Sequence, residues 1–114
     1  MKNSKYNLLI DKLLQATTEG RLYWDSSSQS NEYQTSVGDI LVLISGPRRS
    51  LGFNVNLNME NMSIALVNNE GVEIDRQKVE TSDSAYDNFL DLFDMARKNY
   101  YKVDETLQKI IDEV

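Results

Sequence analysis

YDNFLDLFDMARKNYYKVDETLQKIIDEV, residues 86–114, decides how this chain folds. Apolar side chains recur in it every three or four residues: Tyr86, Phe89, Phe93, Ala96, Tyr100, Val103, Leu107, Ile110 and Val114. Such spacing is a heptad stripe on an α-helix, and neither Gly nor Pro interrupts it. One unbroken helix over these residues would run about 43 Å at 1.5 Å per residue. A domain built from a chain of this length is only about 30 Å across. Either the helix breaks and folds back, or its free end meets a second chain.

The edges of the stripe change along its length. With Tyr86 at position a, the first half is flanked by Leu90 and Leu92, which widen the apolar face as a domain core requires. The second half is flanked by Arg97, Asn99, Asp104, Thr106, Ile111 and Glu113, nearer to a coiled-coil seam. Residues 84–96 therefore read as core. Residues 100–114 read as a dimerisation arm or as a helix packed on the N-terminal one, with Tyr100, Val103, Leu107, Ile110 and Val114 as the dimer interface. Val103-Asp104 is the expected break, Asp104 capping a new helix from Glu105. Residues 80–114 hold nine acidic and four basic side chains, net −5, so most of the chain's negative charge lies here.

Upstream, Tyr6, Leu9, Ile10, Leu13, Leu14 and Thr17 recur at helical spacing, predicting a helix over residues 4–18 with Gly20 as its left-handed stop. Strands follow: residues 21–25 with Leu22 and Trp24 on one face, residues 32–37, and the apolar run Ile40-Leu41-Val42-Leu43-Ile44, a central strand buried on both faces. Phe53, Val55, Leu57 and Met59 alternate with Asn54, Asn56 and Asn58 as a half-exposed strand. Residues 62–67 form another. Asn68-Asn69-Glu70-Gly71 is a hairpin turn, and a last strand begins at Val72 and Ile74 and dissolves into charge at Asp75-Arg76-Gln77-Lys78. The final helix starts near Ser84, a weak capping box with Asp87. The fold class is α+β: one domain over residues 1–114, an N-terminal helix, an antiparallel meander of four to six strands, and a long C-terminal helix, both helices on one face of the sheet.

Composition removes most chemistries. The 114 residues contain no Cys and no His. Disulfides, thiolate nucleophiles, Ser-His-Asp machinery and the commonest metal ligands are excluded. Twelve basic against eighteen acidic residues give a net charge of −6. That balance disfavours binding to nucleic acid or to an anionic membrane and suits a protein partner of basic character. The apolar run after Met1-Lys2-Asn3-Ser4-Lys5 is too short for a secretion signal, and no segment is long enough to span a membrane, so the expected location is cytoplasmic.

Four surface features are candidates. Gly46-Pro47-Arg48-Arg49-Ser50 is the one basic, glycine-flanked loop, where Arg48 and Arg49 could hold an anionic ligand or a partner. Tyr23 and Trp24 border the Ser-rich stretch 26–31; exposed, they would mark a recognition site. Asp87, Asp91 and Asp94 share one helical ridge without the loop a calcium site needs. Tyr101 lies just outside the stripe.

Leu14-Gln15-Ala16-Thr17-Thr18-Glu19-Gly20-Arg21-Leu22-Tyr23-Trp24 resembles the opening of a group of small uncharacterised bacterial proteins: a helix, a Thr-x-x-Gly stop and an aromatic strand. Leu92-Phe93-Asp94-Met95-Ala96-Arg97 followed by Val103-Asp104 resembles their closing helix. The resemblance implies a bacterial or mobile-element protein of the cytosol and supplies no activity. The sequence thus points to a small acidic interaction module rather than an enzyme: an adaptor, immunity-type inhibitor or chaperone-like protein, homodimeric, with no cofactor and no metal. A module for a small anionic ligand at Arg48 and Arg49 is the alternative.

Overall fold

The computed structural model describes residues 4–29, 31–46 and 62–114. Arg48, Arg49 and the strand expected over residues 53–59 lie outside the described residues. The element order is α1 (Ser4–Thr18), β1 (Asp25–Ser26), β2 (Glu32–Val37), β3 (Ile40–Ser45), β4 (Ser63–Val67), β5 (Glu73–Lys78), α2 (Tyr86–Tyr101) and α3 (Val103–Glu113). The strands form one antiparallel meander in the order β1-β2-β3-β4-β5, with the apolar β3 at its centre. This is an α+β arrangement.

Helix α1 has the expected bounds and stops for the expected reason. Gly20 sits at φ 75°. The Gly20 amide bonds the Thr17 carbonyl at 3.1 Å and the Arg21 amide bonds the Ala16 carbonyl at 2.8 Å, the paired bonds of a Schellman stop. Tyr6, Ile10, Leu13 and Ala16 are buried on one stripe.

Period 2 sorts the sheet into two faces. Cross-strand rows Tyr33–Ile44–Ile64 and Thr35–Val42–Leu66 lie on one face. Their apolar members join a single core with Tyr6, Ile10 and Leu13 of α1 and Phe89, Leu92 and Ala96 of α2. Both helices therefore cover that face. Leu41 and Leu43, on the opposite face of β3, are only half-buried, so β3 is not buried on both faces as expected: both helices lie on the other side. Polar ties fix the layers: Tyr6 Oη donates to Asp75 Oδ2 at 2.6 Å, and Asn88 Nδ2 donates to Asp11 Oδ1 at 2.6 Å.

Three further expectations are corrected. Residues 21–24 are not a strand, because side chains and the helix stop have taken their backbone groups. The Trp24 amide donates to Asn99 Oδ1 at 2.7 Å, and the Tyr23 carbonyl accepts from Thr35 Oγ1 at 2.8 Å. Strand β5 does not dissolve at its charges but runs through them to Lys78. Arg76 bonds Ser63 Oγ on β4 at 2.8 Å and Glu73 at 2.8 Å, while Asp75 turns inward to Tyr6. Helix α2 begins at Tyr86, not Ser84, and its N-cap Ala85 makes no side-chain bond. The Ser84 hydroxyl accepts instead from Asn7 Nδ2 at 3.2 Å.

The long C-terminal helix is two helices. Lys102 adopts the left-handed conformation (φ 51°, ψ 52°) and separates α2 from α3. The break falls just before the expected Val103-Asp104. Asp104 does not cap α3; with Glu105 it occupies the first turn, where carboxylates favour the positive end of the helix dipole. No helix among the described residues is long and apolar enough to cross a membrane.

Candidate functional site: the α3 arm and its elbow

The two halves of the stripe meet different fates. In α2, Phe89, Leu92 and Ala96 are fully buried, and Tyr86, Leu90, Phe93 and Tyr100 pack against the core. Aromatic contacts extend that core: the Tyr33 ring lies 5.5 Å from Phe93 and 5.7 Å from Tyr100 between centroids. In α3 no residue is buried. Leu107 is 51 % exposed, Ile110 54 %, Ile111 65 %, and Val114 is fully open. A helix usually owes its stability to an apolar face that is covered. Here that face has no cover among the described residues, and α2 is the principal neighbour.

At the elbow a cleft of about 400 Å³ opens between the end of α1, the end of α2 and the start of α3. Thr17, Thr18, Tyr23, Met95, Asn99 and Val103 line it, with Lys98, Lys102, Asp104 and Glu105 around them. Several of these side chains are held in place. Asn99 is fixed by the Trp24 amide, and Thr18 Oγ1 lies 3.3 Å from Met95 Sδ. Lys98 pairs with Asp94 Oδ2 at 2.9 Å, and Arg97 with Asp94 Oδ1 at 3.0 Å. The bond from Lys98, aided by Arg97, holds the Asp94 carboxyl below its ordinary range. Lys102 is exposed.

The structure brings together residues that the sequence put in separate groups. Tyr23, 76 % exposed, and Val103 line the same cleft. Trp24 points the other way: it is buried, and its Nε1 donates to Thr17 Oγ1 at 3.0 Å. It is therefore not on the surface that Tyr23 marks. Tyr100 packs on the core and Val103 is half-buried in the cleft, so the exposed stripe begins at Leu107. Two residues that the sequence placed beside the stripe are exposed with it. Ile111 stands four residues after Leu107, a spacing that already placed it beside the stripe. Tyr101 is 59 % exposed and meets Tyr100 edge-on at 4.9 Å.

Other polar groups have structural roles. Buried Glu32 accepts hydrogen bonds from Ser27 Oγ and, at 2.7 Å, from Ser45 Oγ, tying the Ser-rich loop to β3. Asp87 and Asp91 of the acidic ridge are exposed. No group of three or more acidic side chains able to hold a metal occurs among the described residues. Val72 and Ile74, both exposed, lie at β5. The pairs Leu66–Asp75 and Val67–Glu73 leave Ile74 as the extra residue of a bulge. The charges flanking it are the usual guard against edge pairing.

No protein-family model matches the chain, and neither the curated proteins nor the solved structures provide a match.

Proposed function

We propose that the chain is a non-enzymatic protein-interaction module whose contact surface is the apolar face of α3. One observation carries this reading: Leu107, Ile110, Ile111 and Val114 form an apolar stripe that nothing in the described body covers. Exposed apolar patches of this kind are commonly interaction surfaces. The absence of His and Cys from the sequence leaves little equipment for catalysis and supports the same reading. Recognition would follow the helix-in-groove pattern, with anchors at i, i+3, i+4 and i+7: Leu107, Ile110, Ile111 and Val114.

The test is the native size of the chain in a crude extract. Over-expressed to well above micromolar concentration, the wild-type chain should elute above its monomer mass of 13.1 kDa. Leu107→Glu with Ile110→Glu should return it to monomer size while leaving the folded body intact, since neither side chain belongs to the core. Identical monomer elution for both chains would refute the proposal.

A further inference from the structure

We propose that the occupant of the α3 face is a second copy of the same chain, paired antiparallel about a two-fold axis between Leu107 and Ile110. This rests on the reading of α3 as an interaction surface and names its partner. The argument starts from the distribution of charge around the helix. At about 100° per residue, Val103, Leu107, Ile110, Ile111 and Val114 fall within one arc of about 100°. Asp104 borders the arc on the side of Ile111, and Thr106 and Glu113 border it on the other. Glu105, Lys109 and Asp112 lie on the back. The four carboxylates of α3 are thus split evenly between back and edges, and each edge of the seam carries a single one.

Antiparallel helices bring like edges together: each e position meets e of the partner, and each g meets g. About an axis between residues 107 and 110, Asp104 comes beside Ile111 of the second copy, and Glu113 beside Thr106. No carboxylate then faces another across the seam. Val103 of each copy meets Val114 of the other, closing both ends of the stripe. The opposed helix dipoles also favour this orientation. A basic partner would find only one carboxylate along either edge, whereas a second copy matches the stripe in length, width and chemistry by identity.

Area sets the strength. Each of five apolar side chains can bury on the order of 100 Å² or less. The two copies together bury roughly 800–900 Å², below the roughly 1,200–2,000 Å² of standard stable interfaces. The dimer is therefore weak and concentration-dependent, dissociating in the micromolar range rather than the nanomolar.

Because the chain has no native Cys, disulfide trapping reads the geometry directly. In the antiparallel seam, residue 103 of one copy lies about 16 Å along the axis from residue 103 of the other, beyond disulfide reach. Purified Val103→Cys alone and Val114→Cys alone should form no disulfide cross-link under mild oxidation, and an equal mixture should give one cross-linked dimer. Light scattering of the unmodified chain should show mass rising from monomer to dimer with concentration, and Leu107→Ser should weaken dimerisation at least tenfold. Self-cross-linking by both single variants would establish a parallel seam and overturn the proposal. A dimer that none of the three samples traps would place the interface elsewhere and also overturn it. A purified chain monomeric at millimolar concentration, with no trapping, would overturn self-pairing even if the extract experiment shows α3 engaged, and would direct the search to a different protein.

Discussion

Phe89 and Leu107 belong to one apolar repeat, yet truncating them should have very different consequences. Phe89 is fully buried in α2 against the sheet. Phe89→Ala deletes a ring from a packed core and leaves a cavity, which costs about 3–5 kcal/mol. In a domain of this size that is a fall in Tm of very roughly 15 °C. Leu107 is half exposed on α3, and its neighbours leave no closed space behind it. Leu107→Ala forfeits at most about 1 kcal/mol of residual burial, and Ala is the better helix former by a little. The assay is urea denaturation of both variants at low micromolar concentration, repeated near millimolar. Dilute, Phe89→Ala should lose several kcal/mol and Leu107→Ala about 1 or less. Concentrated, the deficit of Leu107→Ala should grow, because mass action stabilises only a chain that still pairs. A Leu107→Ala loss above 2 kcal/mol in dilute solution would refute the reasoning, since it would mean that α3 is buried against its own body.

Further outcomes follow from local geometry. Gly46→Ala would place a Cβ inside the van der Waals envelope of the Phe93 ring, so it should destabilise by about 1–3 kcal/mol in thermal melts. Lys102→Gly should stabilise the elbow by up to about 1 kcal/mol, because the left-handed conformation costs Lys but not Gly; unchanged or lower stability would mean the bend is not held at this residue in solution. Burial first, then the hydrogen bond and charge of Asp75, raise the Tyr6 phenol from 10.0 to about 12. Its contribution is complete below pH 10 and is lost as pH rises toward about 12, so Tyr6→Phe should remove that alkaline loss of stability from a pH series. The same bond, from the side of Asp75, lowers that carboxyl below its ordinary 3.8, so this part of the stability persists above that pH and fades on acidification.

Periodicity made the elements legible where a residue's own neighbours in sequence settle its conformation. Helix α1 is such a case: its apolar stripe and Gly20 specify its length and its stop. The alternation in β2 and the apolar run of β3 likewise predicted strands where strands occur, while their pairing order came from the structure alone. Strand β5 was harder to read because its charges are neutralised by partners distant in sequence. Arg76 finds Ser63, thirteen residues back, and Asp75 finds Tyr6 in the first helix. Residues 21–24 misled for the converse reason. Their aromatic content suits a strand, but Asn99 and Thr35 occupy the backbone groups a ladder would need. The elbow was signalled only by Asp104 as a helix-start residue, one or two positions late: Lys102 itself is a good helix former, with neither Gly nor Pro beside it.

A heptad repeat reports that a helix has an apolar face; it does not report what covers that face. In this chain the flanking positions carried the missing information. Leu90 and Leu92 widen the α2 face to the breadth of a sheet, and with aromatic rings along it that half is buried on its own core. The α3 half replaces rings with Leu, Ile and Val and narrows to the breadth of a single helix. A narrow aliphatic face is poorly suited to a sheet and well suited to another helix. The bend at Lys102 then has a physical consequence for assembly. It ends the buried part of the stripe near Tyr100 and leaves Leu107, Ile110, Ile111 and Val114 exposed, where a second helix can reach them.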